Sequence, residues 1–134
     1  MIVLDASAVL EWVLATPWGL RVAARIAAEP ELLNAPKLFD IEVLSGLRGL
    51  CLSKKLDVAD AEQALASLPE LPIIRHDHGP LLERAWELRK FLSAYDALYV
   101  ALAEALEATL LTCDTRLGRA HGHRAQVETF ASNV

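Results

Sequence analysis

Short apolar runs alternating with helix-compatible stretches constrain this chain more than any other feature. Ile2–Leu4 is followed by comparable runs at Leu32–Ala35, Leu71–Arg75 and Thr109–Thr112, with a weaker one at Gln126–Thr129. None is long enough to show a period, but their apolar and β-branched content marks buried strands. Between them, Ser7 is expected to cap a helix reaching about Ala15, which Pro17 stops. A second helix carries Leu20, Ala23, Ala24 and Ala27 on one face and ends near Pro30. A third runs from Pro36 through Leu38, Ile41, Leu47 and Leu50, and Asp57 caps a fourth that ends before Pro69. A fifth covers about Pro80 to Phe91, SAYDALYVALAEALEA makes a long sixth, and Thr115 to Ala120 a short seventh. Strands separated by helices need crossover connections, which give a parallel sheet with helices on both faces. The expected class is therefore α/β, in three layers around a central parallel sheet of about five strands.

The 134 residues, 54% of them hydrophobic, suit one domain spanning 1–134 with a core of ordinary size. Asp5 and Ser7 interrupt the first apolar run too early for a secretory signal, and no later run approaches the roughly 18 residues of a membrane span. Cys51 and Cys113 lack the paired spacing of a zinc or redox motif and are read as reduced, half-buried thiols. The expected setting is cytoplasmic, without a membrane. A net charge of −5 argues at first against a nucleic-acid partner.

Four carboxylates answer that objection. In a parallel α/β sheet, helix N-terminal turns lie over the C-terminal edge of the strands, where such folds bind ligands. Asp5 and Asp114 each end a strand, Asp96 lies in the first turn of the long sixth helix, and Glu42 in the early turns of the third. Each has an ordinary alternative. Asp5 could cap the first helix, Asp96 completes the capping box Ser93-x-x-Asp96, Glu42 could be a solvated helix residue, and Asp114 a turn aspartate. Together, though, they are aimed at one rim. At a separation of about 5 Å and an effective dielectric near 20, each pair would repel by roughly 3 kcal/mol. Either some are protonated or cations sit among them, and hard oxygen donors without Cys or His select Mg²⁺ or Mn²⁺ over zinc. Ser45, Gly46 and Gly49 share the Glu42 face and leave space there for close helix packing or for access, packing being favoured. Asp40 points to another face of that helix.

The segments MIVLDASAVL, APKLFDIEVLSGL, LSAYDALYVALAEAL and LLTCDTRLGRA, in that order from Asp5 to Ala120, resemble the successive motifs of PIN-domain ribonucleases. The resemblance is greatest to the VapC-type toxins of toxin-antitoxin pairs. It implies a Mg²⁺ or Mn²⁺ dependent endoribonuclease acting on structured RNA of the tRNA or rRNA class. It implies also homodimerisation and neutralisation by a small cognate VapB-type antitoxin. The family's four acids fall on Asp5, Glu42, Asp96 and Asp114, as catalytic residues and metal ligands. Its small polar supporting residues fall on Ser7 and Thr112. Many relatives carry a further acid two to four residues past the fourth, where Arg116, Leu117 and Gly118 stand here, which implies a weaker second metal site.

Counting the four acids as neutralised leaves a net charge of −1, and Arg116, Arg119 and Arg124 form a basic run that could hold phosphates. His76 with His78, and His121 with His123, offer two-histidine spacings but adjoin glycines in expected loops, so they are read as loop residues rather than metal ligands. The first helix is apolar nearly all round, from Ala8 to Leu14, and the surplus suggests a protein interface. An RNA- or protein-binding module of the same fold, without cleavage, is the competing reading. A haloacid-dehalogenase phosphatase would need an acid where Ser7 stands, and a receiver domain is kept open only by Asp77.

Overall fold

The chain alternates as its apolar runs predict. The computed structural model describes residues 1–131. Its elements are β1 (Ile2–Leu4), α1 (Ala6–Val13), α2 (Pro17–Ala28), β2 (Leu33–Pro36), α3 (Leu38–Leu52), α4 (Val58–Ser67), β3 (Ile73–His76), α5 (Leu82–Glu87), α6 (Ala94–Leu106), β4 (Thr109–Thr112), α7 (Thr115–Gly118) and β5 (Gln126–Thr129). Single 3₁₀ turns occupy Leu68–Glu70 and Gly79–Leu81.

All five strands are parallel, in the order β3-β2-β1-β4-β5. Right-handed crossovers put α1 to α4, which connect β1, β2 and β3 in one direction, on one face of the sheet. The return past β1 to β4 and then β5 puts α5, α6 and α7 on the other. β1 is buried throughout, with Ile2, Val3 and Leu4 all at 0% exposure, because both of its faces are covered. α6 lies across β1, β2 and β4 and buries an unbroken run from Ala97 to Ala103. No helix among the described residues is long and apolar enough to cross a membrane.

Several local expectations need correction. Ser7 does not cap α1. Asp5 does, its carboxylate accepting the amide of Ala8 at 2.9 Å, because it is the single residue between the strand and the helix. Ala15 takes a left-handed conformation (φ 52°) and ends the first helix, and Thr16 with Pro17 starts the second. In α2 the buried face is Gly19 and Val22, while Leu20 is 61% exposed. The cause is Gly19, where a Cβ would lie 1.8 Å from the carbonyl oxygen of Glu11, so α2 rests backbone against backbone on the end of α1. Asp57 occupies the N-cap position of α4 but makes no side-chain capping bond. The expected helix over Pro80–Phe91 narrows to α5 because Gly79–Leu81 winds as 3₁₀ and the Leu88 amide reaches the carbonyls of Arg84 and Ala85. Leu10, Trp12 and Val13 of α1 and Leu14 at its end are half-buried on the core beside α2 and α3, and Leu10, Val13 and Leu14 also line an open groove toward α4. Cys51 and Cys113 are both free and half-buried.

Candidate active site

Crossovers leave β1 and β4 in opposite directions, so the C-terminal ends of these neighbouring strands open a crevice at the point where the strand order reverses. Leu4 pairs with Leu111, which sets Asp5 beside Thr112 at the crevice, and the Asp5 amide donates to the Leu111 carbonyl at 3.2 Å.

Asp5 is 5% exposed. Its Oδ1 accepts the Ser7 hydroxyl at 2.7 Å as well as the Ala8 amide, and its Oδ2 accepts the Thr112 hydroxyl. Ser7 Oγ in turn accepts the Cys113 amide at 2.9 Å, and Thr112 Oγ1 accepts the Asp114 amide at 2.9 Å. The two hydroxyls thus tie the end of β1 to the end of β4. Burial pushes the Asp5 carboxyl up to about 6, against the lowering by these hydrogen bonds, and the charge of Asp114 adds to the rise.

The other acids are placed by helix starts. Ser93 caps α6 by accepting the Asp96 amide at 3.2 Å, which puts Asp96 in the first turn. Burial raises the Asp96 carboxyl, Asp114 raises it further, and Arg116 and Ser93 offset part of this. Asp114 caps α7 through the Arg116 amide at 2.9 Å and pairs with the Arg116 guanidinium at 3.1 Å. Glu42, one turn into α3, is raised by burial and by the charge of Asp96, with a hydrogen bond from Tyr99 working the other way. Each acid therefore feels another, in a chain from Asp5 through Asp114 and Asp96 to Glu42. Gly46 packs as expected, since a Cβ there would meet Leu10 Cδ2 at 2.8 Å, whereas Gly49 faces open space. Asp40 lies apart, held by Arg75 at 3.0 and 3.1 Å.

Sequence reasoning passed over Tyr99. Its ring is 1% exposed and its hydroxyl donates to Glu42 Oε1 at 2.6 Å. Burial and then Glu42 push that hydroxyl far above the ordinary tyrosine range, so it remains a donor. The available signal was its position three residues past Asp96, on the same helix face. Cys113 adjoins the crevice, where burial and the charges of Asp5 and Glu11 push its thiol up to about 12, so in the metal-free chain it stands as the neutral thiol.

The basic run divides. Arg116 stands at the acid rim and Arg119 closes α7, both exposed. Arg124 precedes β5, and its amide donates to Glu104 near the far end of α6, so it belongs to the opposite edge of the sheet, away from the four acids. Three of the four histidines serve the fold. His76 ends β3 rather than lying in a loop, and its Nε2 bonds Asn34 Oδ1 at 2.8 Å. His78 Nε2 accepts the Leu38 amide at 2.9 Å at the start of α3, and His123 Nδ1 accepts the Ala125 amide at 3.1 Å.

The donor set at the rim is all carboxylate and hydroxyl oxygen, and no cationic side chain pairs with Asp5, Glu42 or Asp96 among the described residues. This chemistry fits a hard divalent cation. No three Asp, Glu, His or Cys side chains among the described residues already enclose an ion-sized point. Asp5 is held by its hydroxyls, Glu42 by Tyr99 and Asp114 by Arg116.

Residues 2–122 match the PIN domain family. The chain is a PIN-domain protein of the VapC ribonuclease family. It is 40% identical over 131 residues to Ribonuclease VapC12 of Mycobacterium tuberculosis, covering 98% of this chain and 100% of that one. Among solved structures, PAE2754 from Pyrobaculum aerophilum superposes with a TM-score of 0.70 at 21% identity, covering 94% of this chain and 81% of that one. VapBC2 from Rickettsia felis, solved bound to a DNA fragment from its promoter, superposes with a TM-score of 0.65 at 17% identity, covering 97% and 99%. At these identities the likeness to both structures is one of fold.

Proposed function

We propose that the chain is a Mg²⁺ or Mn²⁺ dependent endoribonuclease, the toxin of a toxin-antitoxin pair. Asp5, Glu42, Asp96 and Asp114 form its catalytic and metal-binding centre. The observation that carries this reading is the buried Asp5 carboxylate at the strand-order reversal, with its pKa raised toward neutrality, facing other acids with no cation among the described residues paired to it. A divalent ion held by the four acids would supply the positive charge that a phosphodiester and its leaving oxygen require. Ser7 and Thr112 fix the orientation of Asp5, and burial at the switch point limits water around it. Arg116, beside Asp114 and 84% exposed at its side chain, is the cation best placed to meet a substrate phosphate, with Arg119 next along.

The substrate class is structured RNA such as tRNA or rRNA, and the setting is the cytoplasm. The cognate partner is a small VapB-type antitoxin, by kinship with VapC12 and the VapBC2 assembly. Two exposed apolar strips offer area for that partner and for a second copy in a homodimer. One joins Ile41 and Leu44 of α3 to Leu65 of α4, and the other joins Leu82 and Trp86 of α5 to Tyr95 of α6. Expression in a bacterial host tests the reading: growth arrest is expected with the native chain, relief with a co-expressed antitoxin, and no arrest with Asp96→Asn. Arrest of equal strength by Asp96→Asn would support a binding module that acts without cleavage.

A further inference from the structure

We infer that Tyr99 is the positioning residue of Glu42, holding that carboxylate toward the divalent cation; this rests on the metal-dependent reading above. Tyr99 is the largest of the fully buried side chains, and a Phe would fill the same space without a polar atom to satisfy. Its hydroxyl is instead directed at Glu42 Oε1, at 2.6 Å across the boundary between α6 and α3. Its oxygen also lies near the amide of Ala6, the residue after Asp5, and it feels the charge of Asp5. One hydroxyl therefore touches or adjoins the segments that carry three of the four acids: Asp5 on β1, Glu42 on α3, and Asp96 one turn before it on α6.

Among the described residues, no other hydrogen bond or ion pair holds the Glu42 carboxylate. Of its neighbours along the helix, Ser45 is exposed, Gly46 is packed on Leu10, and Gly49 faces open space. No second hydrogen bond reaches the carboxylate among the described residues, so Oε2 is the oxygen left for a cation. Partners that orient a metal ligand typically matter by about 10–100-fold in metal affinity.

Mn²⁺ binding to the purified, RNA-free protein, followed through the electron paramagnetic resonance of the free ion, tests this. Tyr99→Phe is expected to weaken Mn²⁺ binding by about tenfold or more. In a Glu42→Ala background the same change is expected to weaken it no further, which a general packing role of the tyrosine would not predict. Equal affinity in the native chain and Tyr99→Phe would overturn the inference while leaving the metal reading intact. So would an equal loss with and without the Glu42 carboxylate, or a Tyr99→Phe chain that does not fold, because each assigns the hydroxyl to a role other than Glu42. A native chain that binds no Mn²⁺ would overturn the metal reading and the inference with it.

Discussion

Asp5 caps α1 and, in the reading proposed here, supplies a ligand oxygen to the site with the same carboxylate. The sign of its pH dependence follows from its burial. Its folded pKa of about 6 stands above the ordinary 3.8, so between these values the folded state holds a proton that the unfolded state has lost. Stability from this group is present below pH ~4 and is lost as pH rises through about 6, by roughly 3 kcal/mol in all. In metal-free protein the melting temperature of Asp5→Asn relative to the native chain should therefore rise between about pH 4.5 and 7.5. A difference that stays flat or falls over that range would contradict the burial argument. Mn²⁺ should narrow the gap by stabilising the native chain alone, as any ligand specific to the folded state does.

At the scale of elements, two glycines and one ion pair set how helices meet. Gly19 brings α2 against the backbone of α1, whereas Gly46 meets only the flexible end of Leu10. Chemical denaturation should accordingly show Gly19→Ala to cost about 3 kcal/mol or more, and Gly46→Ala about 1 kcal/mol. Equal effects at the two positions would contradict this account of helix packing. Arg84 joins α5 to α6 through two bonds to Glu104, at 2.7 and 3.1 Å, and the Glu104 side chain is only 2% exposed. Burial alone would raise the Glu104 carboxyl, but Arg84 and the Arg124 amide outweigh it and the net shift is downward. Arg84→Met leaves that buried charge with one amide and should cost about 3 kcal/mol at neutral pH, read in the same denaturation experiment. Helix and strand positions were legible in the apolar runs to within a few residues, because strands buried on both faces need unbroken apolar sequence. The buried face of α2 was not legible, since Gly19 leaves no apolar mark in a periodicity while deciding which side of the helix faces inward.

For the whole molecule, the deciding feature is the reversal of strand order between β1 and β4, which collects side chains from distant parts of the chain on one edge. The positions of the four acids relative to strand ends and helix starts could be read from sequence, because each follows a recognisable boundary. Their connections could not. That Ser7 and Thr112 meet on Asp5 depends on the pairing of β1 with β4, and that Tyr99 reaches Glu42 depends on α6 and α3 meeting at the rim. Arg124 illustrates the converse, since nearness to Asp114 in sequence gave no warning that β5 starts from the opposite edge. The most direct test is cleavage of RNA by the purified chain, free of antitoxin, in the presence of Mg²⁺ or Mn²⁺. Cleavage should stop on chelation of the metal and fall by more than about 100-fold in both Asp5→Asn and Asp96→Asn. Undiminished cleavage by both variants, or cleavage indifferent to chelation, would contradict a carboxylate-held metal as the centre of the reaction.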